Sequence, residues 1–405
     1  METKKDYKVI LTIAVAALGY FVDIYDLILF SVVRVPSLKD LGLNEAEILD
    51  QGLLLLNIQM AGMLLGGVFF GVWADKKGRL KVLLGSILMY SLATFLNAFV
   101  QDVTSYAILR FIAGFGLAGE LGIGITLVSE LLPKEKRSYG TMAIATIGMS
   151  GALLAWPIAK HFDWRTAYII GGVMGISLLL LRVKILESEL FKKVEQSPAR
   201  RGDILSLFTH KERFYKFLAC ILVAIQLWYI MGILITLSPE FTSSLGISKD
   251  IVAGESIFYC YIGVIVGGFL SALVSQVLKS RIKALIIFMI LSSSGIIGYF
   301  FLKDISSRMF YIFCVYMGIA SGYWAIFVQV AAEQFGTNIR ATATTAITNF
   351  GRATLIPLSM LFVYLKANQG IMMAGLFVGI LTIVLSIGPL FYLKESFHKN
   401  LDYVD

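Results

Sequence analysis

The sequence predicts an all-α integral membrane protein that crosses the bilayer twelve times, as two six-helix bundles. Three observations carry that expectation. Of 405 residues, 58% are hydrophobic and 15% charged, with a mean hydropathy of +0.80, more apolar surface than a soluble chain of this length can hide. Apolar runs close to the ~20 residues a helix needs to span a bilayer recur between short polar breaks. The two halves of the chain also repeat each other at a fixed offset, as parallel bundles about a central site do.

In order, the runs fall near 9–33, 50–74, 80–100, 103–131, 139–160 and 166–185, then 213–237, 251–278, 282–302, 307–333, 341–365 and 370–393. The polar start, Met1 to Lys8, precedes a run that carries Asp23 and Asp26 and outlasts a signal-peptide core, so it reads as a first membrane helix. Trp156-Pro157 marks a kink in the fifth helix and Pro357 another in the eleventh. Gly62-x3-Gly66-Gly67 and Gly263-x3-Gly267-Gly268 let helices approach closely. Residues 186–212 are the one long polar linker, leaving an N-terminal bundle over 1–185 and a C-terminal bundle over 213–405. With the N-terminus inside, 25 of the 35 Lys and Arg fall in cytoplasmic segments and 8 on the other side, which puts both termini in the cytoplasm.

The repeat is explicit. Ser129-Glu130-Leu131-Leu132-Pro133-Lys134-Glu135-Lys136-Arg137 is answered by Ala332-Glu333-Gln334-Phe335-Gly336-Thr337-Asn338-Ile339-Arg340. Glu130 and Glu333, Arg137 and Arg340, and Gly119 and Gly322 all stand 203 residues apart. Glu187-Ser188 and Glu395-Ser396 follow the last helix of each half.

Between the second and third runs lies Gly71-Val72-Trp73-Ala74-Asp75-Lys76-Lys77-Gly78-Arg79-Leu80-Lys81. Its spacing, Gly-x3-Asp-x2-Gly-Arg-x-Lys, resembles the loop motif of the major facilitator superfamily. Arg110-Phe111-x2-Gly114-x-Gly116-x2-Gly119-Glu120, with Ser129-Glu130-x2-Pro133-x3-Arg137, is similar to the fourth-helix region of that superfamily's metabolite:proton symporters. Asp23-Ile24-Tyr25-Asp26 resembles the first-helix element of its aromatic-acid:proton symporters, with isoleucine where glycine is usual. Leu186-Glu187-Ser188-Glu189 lacks the prolines and arginine of the sugar-porter element. In the second half the loop motif survives only as Ser275, Gln276, Lys279 and Arg281, which implies an asymmetric cytoplasmic latch. The resemblance implies the major facilitator fold, alternating access and a cell inner membrane location.

Charges inside membrane helices are costly and point to function. Asp23 and Asp26 share a helix face, at a depth that matches Arg110 on the fourth helix. That makes a pair between Asp23 or Asp26 and Arg110 possible, either as a proton-coupling site or, as Asp23–Arg110, as a static strut between helices. Glu120 is a second proton-site candidate or a packing element. Arg352 lies near the midplane, where it can hold a substrate carboxylate bidentately or pair with a carboxylate of a neighbouring helix. Tyr25, Gln59, Gln226, Tyr229, Trp324 and Asn349 are expected with Arg352 around the substrate. Glu130 with Arg137, and Glu333 with Arg340, are expected to form cytoplasmic gate pairs together with Gly71, Asp75, Gly78 and Arg79.

Other functions find no support in the residues. The net charge of +8 comes without basic, aromatic-interleaved clusters outside the apolar runs, against nucleic-acid binding. Cys220, Cys260 and Cys314 lie in apolar runs, and His161, His210 and His398 form no cluster, so no metal or cofactor is expected. No Gly-x4-Gly-Lys-Ser/Thr loop provides for ATP, and no catalytic constellation marks an enzyme. The expectation is a proton-coupled symporter of a small organic anion, for which a monomer suffices. A sugar, zwitterion or drug carrier, proton-linked efflux, and a non-transporting sensor stay open.

Overall fold

The computed structural model describes residues 2–132, 134–181, 202–247 and 250–397. Ten helical stretches cross as single spans: α1 (Val9–Asp40), α2 (Glu47–Lys77), α3 (Arg79–Asn97), α4 (Val103–Leu131), α5 (Tyr139–His161), α6 (Trp164–Leu181), α7 (Lys211–Ile235), α8 (Ala253–Val277), α9 (Arg281–Tyr299) and α10 (Ser307–Glu333). The last apolar stretch, Arg340–Phe391, has 52 residues. At 1.5 Å per residue that is far longer than a bilayer is thick. It turns at Gly370, whose φ of +80° only glycine adopts freely, and so supplies α11 (340–369) and α12 (371–387). The count of twelve follows.

The helices obey local rules. Asn44 caps α2 in a reciprocal box with Glu47, each accepting a backbone N–H at 3.0 Å. Asp102 caps α4 through the Ser105 N–H, which holds this exposed carboxyl below the usual carboxylate range. The α2–α3 turn needs Gly78, at φ +103°.

Five of the described helices are broken where sequence periodicity runs on, α7 among them at Ala224. α4 divides into Val103–Leu117 and Glu120–Leu131, and α10 into Ser307–Ser321 and Trp324–Glu333. The breaks stand at the repeated glycines, Gly119 and Gly322. Carbonyls at both find side-chain donors: Asn349 Nδ2 to Ala118 O at 2.9 Å, and Ser271 Oγ to Gly322 O at 3.1 Å. The kink expected at Trp156-Pro157 lies upstream instead. α5 breaks at Ser150–Gly151, because a Cβ on Gly151 would meet Phe21 O at 2.0 Å and the helix must pass α1 there. The kink expected at Pro357 appears as a break at Thr354, which leaves the proline in the first turn of the next segment, where its missing N–H costs little.

α1 is longer than its apolar run. It continues through Pro36 to Asp40 and so carries Arg34 inside the helix. Prolines persist in membrane helices when packing satisfies the freed carbonyl. α7 ends in a π-helical turn, Ile230–Ile235, before a short helix, Ser238–Ser244. Of the linker 186–212, residues up to 201 lie outside the described residues. Gly202 N–H donates to Asn338 O at 3.0 Å, tying the linker's end to the second half.

Candidate functional site

Between the halves lies a small, largely apolar cavity with room for about one water. α1 and α5 contribute Tyr20, Ile24 and Met149. The second half contributes Leu227, Trp228, Met231, Tyr261, Val264 and Trp324. The walls are aromatic: Trp228 and Trp324 meet edge to face at 5.7 Å, and Trp324 Nε1 donates to Tyr20 OH at 3.1 Å. Arg352, buried on α11, stands against the Trp228 ring at 5.7 Å. Its Nη2 lies 3.5 Å from Asp23 Oδ2, across the divide between the halves. Tyr20 and Asp23 are three residues apart, so one face of α1 presents both. Both Asp23 oxygens and Trp228 Nε1 are buried and make no hydrogen bond to a described residue.

Asp26 faces away from this divide. Arg110 Nη1 stands 3.5 Å from Asp26 Oδ1, and Arg110 Nη2 donates to Gln59 Oε1. The Phe30 and Tyr168 rings flank the guanidinium at 5.2 and 5.9 Å. Of the two aspartates that could meet Arg110, Asp26 makes the pair, while Asp23 is the neighbouring-helix carboxylate that takes Arg352. Residues three apart on a helix differ in direction by about 60°, enough to send one carboxylate into the bundle and the other across it. Glu120, at the start of the second segment of α4, accepts from Ser86 Oγ at 3.2 Å.

Of the residues expected around the substrate, Trp324 lines the cavity and Arg352 borders it. The others point elsewhere. Tyr25 OH donates to Ala167 O on α6 at 2.8 Å. Gln59 is committed to Arg110. Gln226 Nε2 donates to Ser386 Oγ on α12 at 2.7 Å, and Tyr229 OH donates to Gly375 O. Asn349 bonds Ala118 O across the halves. Trp228 and Met231, on the other face of α7, hold the cavity positions instead. Tyr20 was legible as the residue one turn before Asp23.

On the face that carries the Gly71–Lys81 turn, here the motif face, the halves are locked together. Glu130 Oε1 accepts from Arg79 Nη2 at 3.1 Å and from Arg340 Nη1 at 3.2 Å. Asp75 Oδ2 accepts from the Thr342 N–H and hydroxyl, both at 2.7 Å, and Asp75 Oδ1 lies 3.3 Å from Arg79. Gly71 lets α11 pass, since a Cβ there would meet Thr342 Cα at 3.0 Å. The expected Glu333–Arg340 pair is not the one formed. Arg340 crosses to Glu130, and Glu333 pairs with Arg281 at 3.4 Å. Arg281 also donates to Ser275 Oγ at 3.2 Å. The reduced second motif thus keeps the arginine–glutamate pair of the first, with Val277 at the position of Asp75 and Ser275 as a further acceptor for the arginine. The Arg137 side chain, expected to meet Glu130, lies outside the described residues.

The far face is closed as well. Arg34 Nη2 donates to Glu240 Oε1 at 2.7 Å, Ser359 Oγ to Asn57 Oδ1 at 2.9 Å, and Trp156 packs on Gly254. The two halves therefore touch on both faces.

This architecture has known counterparts. The chain is 28% identical over 360 residues to a putative metabolite transport protein of Haemophilus influenzae, covering 84% of each. It is 35% identical over 178 residues to the niacin transporter NiaP of Acinetobacter baylyi, covering 43% of this chain and 40% of that one. A structure of the proton:xylose symporter XylE superposes with a TM-score of 0.77 over 98% of both chains, at 16% identity, a likeness of fold. The family model of the Major Facilitator Superfamily matches residues 16–359, and with twelve crossings, a two-bundle repeat and a loop motif that locks one face, the chain belongs to that superfamily of membrane transporters.

Proposed function

We propose that this transporter carries a small organic anion together with a proton across a bacterial inner membrane, by alternating access, with the motif face and both termini in the cytoplasm. The observation that carries this reading is the buried Arg352–Asp23 pair spanning the two halves beside an aromatic cavity. A substrate carboxylate competes with Asp23 for Arg352 and gains a bidentate contact. A carboxylate that loses a cationic partner in a dry site takes up a proton more readily. Substrate and proton then arrive together, and Asp23 gives up its proton and returns to Arg352 as the substrate leaves. Asp26, Arg110 and Glu120 form a second proton-coupling set inside the first half. The kinship to a niacin transporter favours acids with a flat ring, which Trp228 and Trp324 can face. The bias of Lys and Arg toward the motif face supports the orientation. One chain holds both halves of the site, so a monomer works.

The test is uptake into proteoliposomes of nicotinate, benzoate and xylose, with and without an inward proton gradient. Gradient-driven uptake of an acid is expected, and Asp23→Asn should abolish the gradient dependence while leaving folded protein. Uptake of xylose and of neither acid would overturn the reading.

A further inference from the structure

We propose that Arg34 is a second anion-binding residue of this transporter, set at the far-face entrance and occupied in this conformation by the protein's own Glu240. The proposal rests on the anionic-substrate reading above and adds a second station to its path. Arg34 lies eleven residues beyond Asp23 on α1, roughly 16 Å nearer the far face. Its side chain is 2% exposed, whereas that of Glu240 is 24% exposed. The pair joins the two halves at 2.7 Å. The Arg34 stem lies on Gly52 of α2, where a Cβ would come within 2.6 Å of Cδ, so the guanidinium is held at a fixed place under the opening.

The pairing is incomplete in a telling way. Only Nη2 meets Glu240. Arg34 Nε and Nη1 are buried without a hydrogen-bond partner among the described residues, and so is Glu240 Oε2. A strut between an arginine and a carboxylate gains most from the two-pronged contact that the fork geometry allows, and a buried single contact is a weak stabiliser once desolvation is counted. Donors left unused on a buried arginine, beside a glutamate whose side chain is partly exposed, suit a site where a second carboxylate can take the arginine over. Glu240 sits on Ser238–Ser244, which follows the π-helical turn of α7 and so continues the wall that carries Trp228 and Met231. An anion that takes Arg34 from Glu240 therefore unties this short helix at the moment of its arrival. The same exchange is available deeper, where Arg352 is held by Asp23.

The test reads charge selectivity without needing the natural substrate. In a background with Cys220, Cys260 and Cys314 replaced, Met231→Cys places one thiol in the cavity. Purified protein in lipid nanodiscs is labelled with the anionic sulfonatoethyl and the cationic trimethylammonioethyl methanethiosulfonates, and the ratio of the two rates is measured. Glu240→Gln frees the entrance and keeps Arg34; Arg34→Met with Glu240→Gln frees it and removes the arginine. The anion-to-cation ratio is expected to rise with Glu240→Gln and to fall by about tenfold or more in the double variant, the scale of electrostatic capture in a charged cleft. Equal ratios in the two variants would overturn the proposal and leave Arg34 as a latch. A fall in the ratio without proton-driven uptake of nicotinate or benzoate would sink the transport reading and keep the entrance site.

Discussion

Replacing Glu130 by glutamine should open the motif face. In this conformation one carboxylate oxygen faces two arginines at 3.1 and 3.2 Å, and all three side chains are at most 1% exposed. Removing one partner of a buried ion pair costs about 3–5 kcal/mol, because the charge left behind stays desolvated. Arg79 keeps Asp75 at 3.3 Å and Arg340 keeps Phe335 O at 3.2 Å, which argues for the lower end, about 3 kcal/mol. When the halves part on this face, water reaches the same three groups and the substitution costs little. The difference falls on one conformation, so the closed-to-open ratio should drop by about 100-fold at 1.4 kcal/mol per factor of ten. Spin labels on the exposed Lys77 and Lys283, one in each half, report this as a longer distance population. An unchanged distribution in folded protein would refute the claim that Glu130 holds the halves together here.

Three further outcomes follow from the same geometry. Gly66→Ala should lower thermal stability by about 1–3 kcal/mol or prevent folding, since its Cβ would meet Phe115 O at 2.2 Å, whereas Gly388→Ala, with nothing within 4 Å, should be silent; equal melting temperatures would contradict the close α2–α4 contact. Burial pushes the Glu395 carboxyl up, but Ser280 Oγ–H and the N–H groups of Arg281 and Ile282 outweigh it and hold it below its ordinary value of 4.5. Its contribution to stability is therefore full above that value and lost as pH falls below it, and Glu395→Gln should narrow the gap between melting temperatures at neutral and acid pH; an undiminished gap would assign the acid lability elsewhere. Trp228→Leu removes the ring beside Arg352 and should raise the KM for an aromatic acid about 2- to 30-fold, the range of a buried cation–π contact, with xylose or aliphatic acids as controls; a KM that stays put would remove Trp228 from the binding wall.

The helix count, the tight turn at Gly78 and the 203-residue repeat were legible because a bilayer imposes apolar runs and duplication leaves a constant offset. Partner choice was not legible, because it depends on helix rotation. Gln226 and Trp228 are two positions apart, about 200° around the helix axis; one bonds α12 and the other lines the cavity. Hydropathy assigns both to the same run and says nothing of that angle. Arg34 lies just past the first apolar run, 9–33, and escapes it for a related reason. Arg34 and Pro36 end an apolar run, and nothing in the run itself tells that α1 continues to Asp40 against Gly52 of α2. The second-half gate was hidden differently. Its aspartate-glycine-arginine core is lost as a motif, yet the fold still brings Arg281, held by Ser275, to Glu333.

The two aspartates of α1 show how one helical turn can divide labour. Asp23 and Asp26 share a sequence element, a depth and an arginine partner each, at the same 3.5 Å. They differ in what their arginine is attached to. Arg110 belongs to the same half as Asp26, so that pair can stay intact while the halves rock. Arg352 belongs to the other half, so the Asp23 pair must be stretched or broken whenever the cavity opens. A pair inside a rigid bundle can store charge but cannot sense opening; a pair across the divide senses it by construction. On the proposed mechanism this assigns the substrate-linked exchange to Asp23 and leaves Asp26 to set the field in which α1 works. Asp26→Asn should therefore change the rate of uptake and its pH profile while substrate binding persists, and Asp23→Asn should change the coupling itself. Identical losses of binding in both variants, measured by calorimetry on folded protein, would mean that the two pairs act as one site.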